Sequence, residues 1–205
     1  MGIAVKEDVG LDADALCREI SKKHREVATD PSGSFHFHTG RYLARHPGYD
    51  ETTTASLPDA ATESFAGVAN VFSLRSVRDG ERVVDLGAGA GFDCFVAARQ
   101  AGPTGKVVGV DMTKEMLAKS RATASAMGAT NVEFREGLIE RLPVEEGWAD
   151  LVISNGVINL CPYKAVVFAE IHRVLRSGGW LEFADIVNGN PVPDATARNI
   201  DLWTA

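Results

Sequence analysis

Arg82-Val83-Val84-Asp85-Leu86-Gly87-Ala88-Gly89-Ala90-Gly91-Phe92 is the stretch on which the fold turns. A short apolar strand pattern runs into alternating glycines, and a helical pattern follows over Phe92 to Ala101. Glycine lets the backbone turn tightly and approach a ligand closely. A helix starting directly after it presents unpaired N–H groups and a partial positive charge. Downstream, Lys106 to Val110 reads as a second strand, Thr113 to about Met127 as a helix closed by Gly128, Val132 to Arg135 as a third strand and Ala149 to Ser154 as a fourth. Tyr163 to Arg176 reads as a helix with Val167, Ile171, Val174 and Leu175 on one face, closed by Gly178-Gly179, and Trp180 to Val187 as a fifth strand. Strands alternating with helices predict an α/β fold, a doubly wound Rossmann-like parallel sheet.

Upstream the pattern is different. Leu16, Ile20 and Val27 keep helical spacing from about Asp12 to Ala28, and a short helix is expected over Ala60 to Leu74. Residues 1–79 are therefore expected to form a mostly helical cap or lid, and residues 80–205 the ligand-binding Rossmann-like domain. The 205-residue length suits this organisation, and 45% apolar with 24% charged residues is ordinary globular composition. A net charge of -7 argues against nonspecific nucleic-acid binding. No stretch approaches the roughly 20 apolar residues of a spanning helix, and no apolar signal core opens the chain, so a cytoplasmic protein is expected. Cys17, Cys94 and Cys161 have neither metal nor disulfide spacing, and no metal is expected.

In a doubly wound sheet, ligands lie beyond the carboxyl ends of the strands. After strand one come Asp85, Gly87, Gly89 and Gly91. The run is G-x-G-x-G, whereas dinucleotide-binding turns read G-x-G-x-x-G, and Phe92 stands where the third of those glycines would fall. An acid beside the turn repels a diphosphate and favours a cationic amino group. After strand two comes Asp111, placed to accept from ribose hydroxyls, with Met112 beside it to lie on an adenine face. After strand three, Ile139 and Glu140 are candidates for packing on the adenine and holding its amino group. After strand four, Asn155 is the candidate for contact at the reacting end. Each residue also has a bland alternative: a turn, a cap, a packing methionine, a solvated glutamate.

Together the turn, Gly109-Val110-Asp111-Met112 and Val174-Leu175-Arg176-Ser177-Gly178-Gly179 resemble the class I S-adenosylmethionine (SAM) dependent methyltransferases, over about Val83 to Val187. The resemblance implies that the glycine turn holds the methionine part of SAM and that Asp111 binds its ribose. Ser154-Asn155-Gly156-Val157-Ile158-Asn159-Leu160 and Gly137-Leu138-Ile139-Glu140 resemble the arsenite methyltransferase branch. That branch reads S-N-C-V-I-N-L, with its cysteine on trivalent arsenic, where this chain has Gly156. A second family cysteine would align near Phe65-Ala66-Gly67, which has none. Class I sheets also end in an antiparallel hairpin, and strands six and seven are expected to be absent from this shorter chain.

The implied activity is methyl transfer from SAM to a small-molecule acceptor. A SAM-binding protein without catalysis, an arsenite methyltransferase using other thiols, and a nicotinamide-dependent oxidoreductase stay open as alternatives, as does a homo-oligomer. No base is evident in the sheet domain; the cap offers His24, His36, His38 and His46, with Tyr42 and Tyr49. His36 and His38, two apart on an extended segment, point the same way and are the candidates for catalysis. The alternative for them is a lid whose histidines bond to backbone.

Overall fold

Val83, Val84 and Leu86 are fully buried because β1 (Arg82–Leu86) lies in the middle of the sheet. The computed structural model describes residues 11–33, 35, 39–40 and 48–203. Among these, β2 (Lys106–Asp111), β3 (Val132–Glu136), β4 (Ala149–Asn155) and β5 (Leu175–Ala184) join β1 in one parallel sheet, ordered β3-β2-β1-β4-β5. Successive side chains alternate between faces. Val83, Val107, Leu151 and Ile153 face one apolar layer, and Val84, Leu86, Val108 and Val152 the other. Apolar residues of α4 (Phe92–Ala101) and α5 (Lys114–Met127) fill the first layer, and those of α6 (Lys164–Val174) the second. The chain steps outward from β1 to β3 and returns to β4, so the order reverses between β1 and β4.

In the region expected as a cap the described helices are α1 (Ala13–Thr29), α2 (Glu51–Ala55) and α3 (Asp59–Thr62). Asp12 caps α1 by accepting from the Ala15 N–H at 2.9 Å. Two cations tie this region to α5: Arg25 Nε meets Glu115 Oε1 at 2.9 Å, and Lys119 makes the wider set of contacts. Lys119 Nζ meets Glu63 Oε1 at 2.6 Å, Ser64 Oγ at 2.8 Å and the Ala28 carbonyl at 3.5 Å, while Ser64 Oγ donates to the Val27 carbonyl at 3.3 Å.

Two expectations are corrected. The helix expected over Ala60 to Leu74 is only the single turn of α3. Beyond it the chain unwinds, and Phe65 and Phe72 pack edge-on against Tyr49 at 5.7 and 6.3 Å. The helix expected to reach Arg176 stops at Val174, and β5 starts at Leu175 and ends at Ala184. Leu175 pairs with Ala149 and Trp180 with Leu151, the extra residues being absorbed in an irregularity. Gly178, at φ +76°, makes that detour. The C-terminal part adds α7 (Asp194–Ala197) and a 3-10 turn at Ile200–Leu202.

Candidate functional site

At the reversal between β1 and β4 lies a cavity of about 860 Å³. Asp85, Gly87, Gly89, Asp111 and Asn155 all line it, as the strand order requires. The glycine turn is closed on one side and open on the other. A Cβ on Gly87 would stand 2.5 Å from a Val157 methyl, whereas one on Gly89 would meet nothing within 4 Å. Both have positive φ, +65° and +53°, so substituted residues would be strained there. Gly91 is not among the lining residues. A Cβ on it would meet the Phe134 ring at 2.7 Å, and its glycine lets α4 pack against β3.

Asp111 is held from two sides: Oδ2 accepts from the Gly89 N–H at 2.8 Å and Oδ1 from the Thr113 N–H at 2.7 Å. An ionised carboxylate offers about four lone-pair sites, so acceptor capacity remains. Beside it a smaller cavity of about 60 Å³ is bordered by Met112, Ile139 and Glu140, and α1 covers it with Cys17, Ile20 and His24. Glu140 accepts from Cys161 Sγ at 3.0 Å. Burial, with Glu140 adding to it, pushes the Cys161 thiol up to about 12. His24 lines both cavities; burial lowers its pKa and the Asp111 charge partly restores it.

Asp93 is the site residue that sequence reasoning missed. It is 6% exposed, lines the main cavity and bonds to two elements at once. Tyr49 donates to its Oδ1 at 2.6 Å and Asn155 Nδ2 to its Oδ2 at 3.0 Å. The signal was an acid in the first turn of an otherwise apolar helix. Burial raises its carboxyl to about 6 despite those bonds. Burial also raises Asp85, and the neighbouring Asp93 charge adds to it, although Cys94 donates to Asp85 Oδ2 at 3.1 Å. Tyr49 is raised by burial and then by Asp93, so its phenol keeps its proton.

Asn155 is largely committed inside the protein. Its Oδ1 accepts from the Val68 and Ala69 N–H groups at 2.7 and 3.2 Å, and Nδ2 donates to the Ala69 carbonyl, Asp93 and Tyr49. It fastens the segment at Val68 and Ala69 to the end of β4. His36 and His38 lie outside the described residues, as do Tyr42 and His46. Among the described residues no group of three or more His, Cys, Asp or Glu could hold a metal, and no helix is long and apolar enough to cross a membrane.

Three buried carboxylates round an open glycine turn suit a ligand bearing positive charge and hydroxyls. They repel a diphosphate. SAM, with an ammonium, a sulfonium and a ribose, fits this donor set. Gly67 is closed to a side chain and Gly156 only tight. A Cβ on Gly67 would lie 2.4 Å from Asn155 Nδ2, and one on Gly156, at φ +73°, would face a Val68 methyl at 3.2 Å.

Residues 77–203 match the family described as methyltransferase domain. An arsenite methyltransferase of Halobacterium salinarum is 46% identical over 157 residues, 77% of this chain and 40% of that one. The human arsenite methyltransferase is 37% identical over 130 residues, 59% of this chain and 35% of its own. The crystal structure of an arsenic(III) S-adenosylmethionine methyltransferase from Chlamydomonas reinhardtii is 40% identical and superposes with a TM-score of 0.64, over 69% of this chain and 50% of that one. The chain thus spans half or less of the length of these relatives. With its parallel sheet, its glycine turn and these matches, the chain belongs to the methyltransferase-domain family of Rossmann-like, S-adenosylmethionine-dependent proteins.

Proposed function

We propose that this chain transfers a methyl group from SAM to a small-molecule acceptor. The observation that carries the reading is the trio Asp85, Asp93 and Asp111, buried around one glycine turn on one cavity. Bound there, SAM supplies a methyl group on a positively charged sulfur, open to in-line attack by a nucleophile.

The chain's own residues then bind and orient. Gly87 and Gly89 bring backbone against the methionine part, and Asp85, backed by Asp93, faces its ammonium. The free lone pairs of Asp111 take the ribose hydroxyls. Met112, Ile139 and Glu140 border the adenine. Gly91 and Asn155 act from behind, one by packing α4 and the other by fastening the cap. The cap, residues 1–79 against the 80–205 domain, excludes water. His24 stays uncharged at neutral pH and so does not repel a sulfonium. Positioning suffices for an acceptor already nucleophilic at neutral pH. Cys17 and Cys161 border the small cavity next to Glu140 as raised-pKa thiols, a poor setting for thiolate ligands of arsenic.

Calorimetry with SAM, S-adenosylhomocysteine and NADH tests the reading. SAM and S-adenosylhomocysteine are expected to bind in the micromolar range and NADH not at all. NADH binding that SAM fails to displace would overturn it.

A further inference from the structure

The mouth of the sheet runs β2, β1, β4, β5, and the lining of the main cavity follows it. Asp111 ends β2, Gly87 follows β1, Asn155 ends β4 with Gly156, Val157 and Asn159 beyond it, and Ile186 and Val187 follow β5. The proposed cofactor contacts take the β2 and β1 half. The half beyond β4 is walled by Val68, Ile186, Val187, Val192, Leu202 and Trp203. Ile186, Val187 and Leu202 are 63%, 84% and 55% exposed, a concentration of apolar surface around one hollow that marks a binding region. Trp203 is held in place: Nε1 donates to the Ala197 carbonyl at 2.9 Å and Lys164 Nζ sits 5.5 Å from its ring.

Among the described residues of this wall one buried side-chain polar atom lacks a partner, Asn159 Oδ1. Its neighbours are engaged. The Asn159 N–H donates to Asp185 Oδ2 at 2.8 Å, and Lys164 Nζ donates to the Cys161 carbonyl at 2.9 Å. A buried acceptor left alone is costly, and a ligand that donates to it recovers that cost.

We infer that this half of the cavity is the acceptor subsite, and that it takes a small organic molecule with an apolar body and one O–H or N–H donor resting on Asn159 Oδ1. Its role as acceptor subsite rests on the methyl-transfer reading; its geometry does not. Among the described residues no cysteine lines the cavity, and a side chain on Gly67 would collide with Asn155. A thiophilic metalloid therefore finds no thiolate in it.

The test uses probes that share one body and differ in one group: 4-methylphenol, 4-methylaniline and 1,4-dimethylbenzene. Dissociation constants are read by ligand-observed NMR on the full chain, with and without saturating S-adenosylhomocysteine. The two donors are expected to bind roughly tenfold more tightly than the hydrocarbon. Asn159→Leu should erase that preference and Asn159→Asp, which keeps an acceptor, should retain it. Arsenite with glutathione should not bind. Equal affinity of the three probes for the unmodified protein, a preference that survives Asn159→Leu, or arsenite binding would each overturn the inference. Calorimetry of S-adenosylhomocysteine separates the two readings: if it fails to bind while the donor preference holds, methyl transfer falls and the subsite stands.

Discussion

The two halves of the cavity are built by opposite means. On the β1 and β2 side, strand ends supply backbone, Asp85 and Asp111, the first turn of α4 supplies Asp93, and each carboxyl is paired: Asp111 to Gly89 and Thr113, Asp85 to Cys94, Asp93 to Tyr49 and Asn155. On the β5 side, a tail without long elements supplies apolar side chains and leaves Asn159 Oδ1 unpaired. The difference teaches that one half is set up by charge and preorganised polar contacts, and the other by apolar shape.

The largest effect expected on the paired half is that of Asp111→Ala. It removes a charged acceptor and frees the turn, and SAM affinity should fall about 100-fold. Calorimetry on a sample of unchanged circular dichroism measures it; a loss under fivefold would break the comparison. Asn155→Ala comes next. It strips Val68, Ala69, Asp93 and Tyr49 of a partner and should cost about 2–3 kcal/mol, lowering Tm by roughly 4–12 °C. Scanning calorimetry reads this, and an unchanged Tm would show that the cap is held elsewhere.

A pH series gives a third comparison. Asp93, at about 6, holds its proton in the folded chain while the unfolded carboxyl ionises near 3.9. Its contribution is present below the unfolded value and is lost as pH rises through about 6. The ligand-free protein should lose about 1–3 kcal/mol between pH 4 and 6. A cation beside the pair needs the ionised form, so SAM affinity should rise from pH 5 to 7 with proton release. Thermal melts and calorimetry in buffers of different ionisation enthalpy report both, and flat profiles would place the charge elsewhere. The smallest effect is that of Gly156→Cys. A side chain at positive φ should cost about 1–2 kcal/mol, without conferring arsenite binding. Gain of arsenite binding would erase the distinction between the halves.

Much of the sheet half was legible in the sequence because its order is local. Strands β1 to β4 lie where alternation and glycine stops put them, within a residue of their ends. The start of β5 was hidden because Val174-Leu175 continues a helical face, and only its pairing with Ala149 pulls Leu175 into the sheet. Asp85, Gly87, Gly89 and Asp111 stand at strand ends, and that is where the cavity opens. Asn155 was found for its position, but its partners are 62 to 106 residues distant, and no spacing announces such a network. Asp93 was overlooked for the same reason. The tail wall around Trp203 has no periodicity to read.

Lys119 has a consequence for motion. An ammonium has three protons, and its three partners come from two pieces of cap separated by more than thirty residues, Ala28 on one side and Glu63 with Ser64 on the other. Those pieces cannot swing independently while it holds them. Arg25 on Glu115 and Asn155 on the Val68 and Ala69 N–H groups hold the same region at separate points, so loosening it requires several polar contacts to break together.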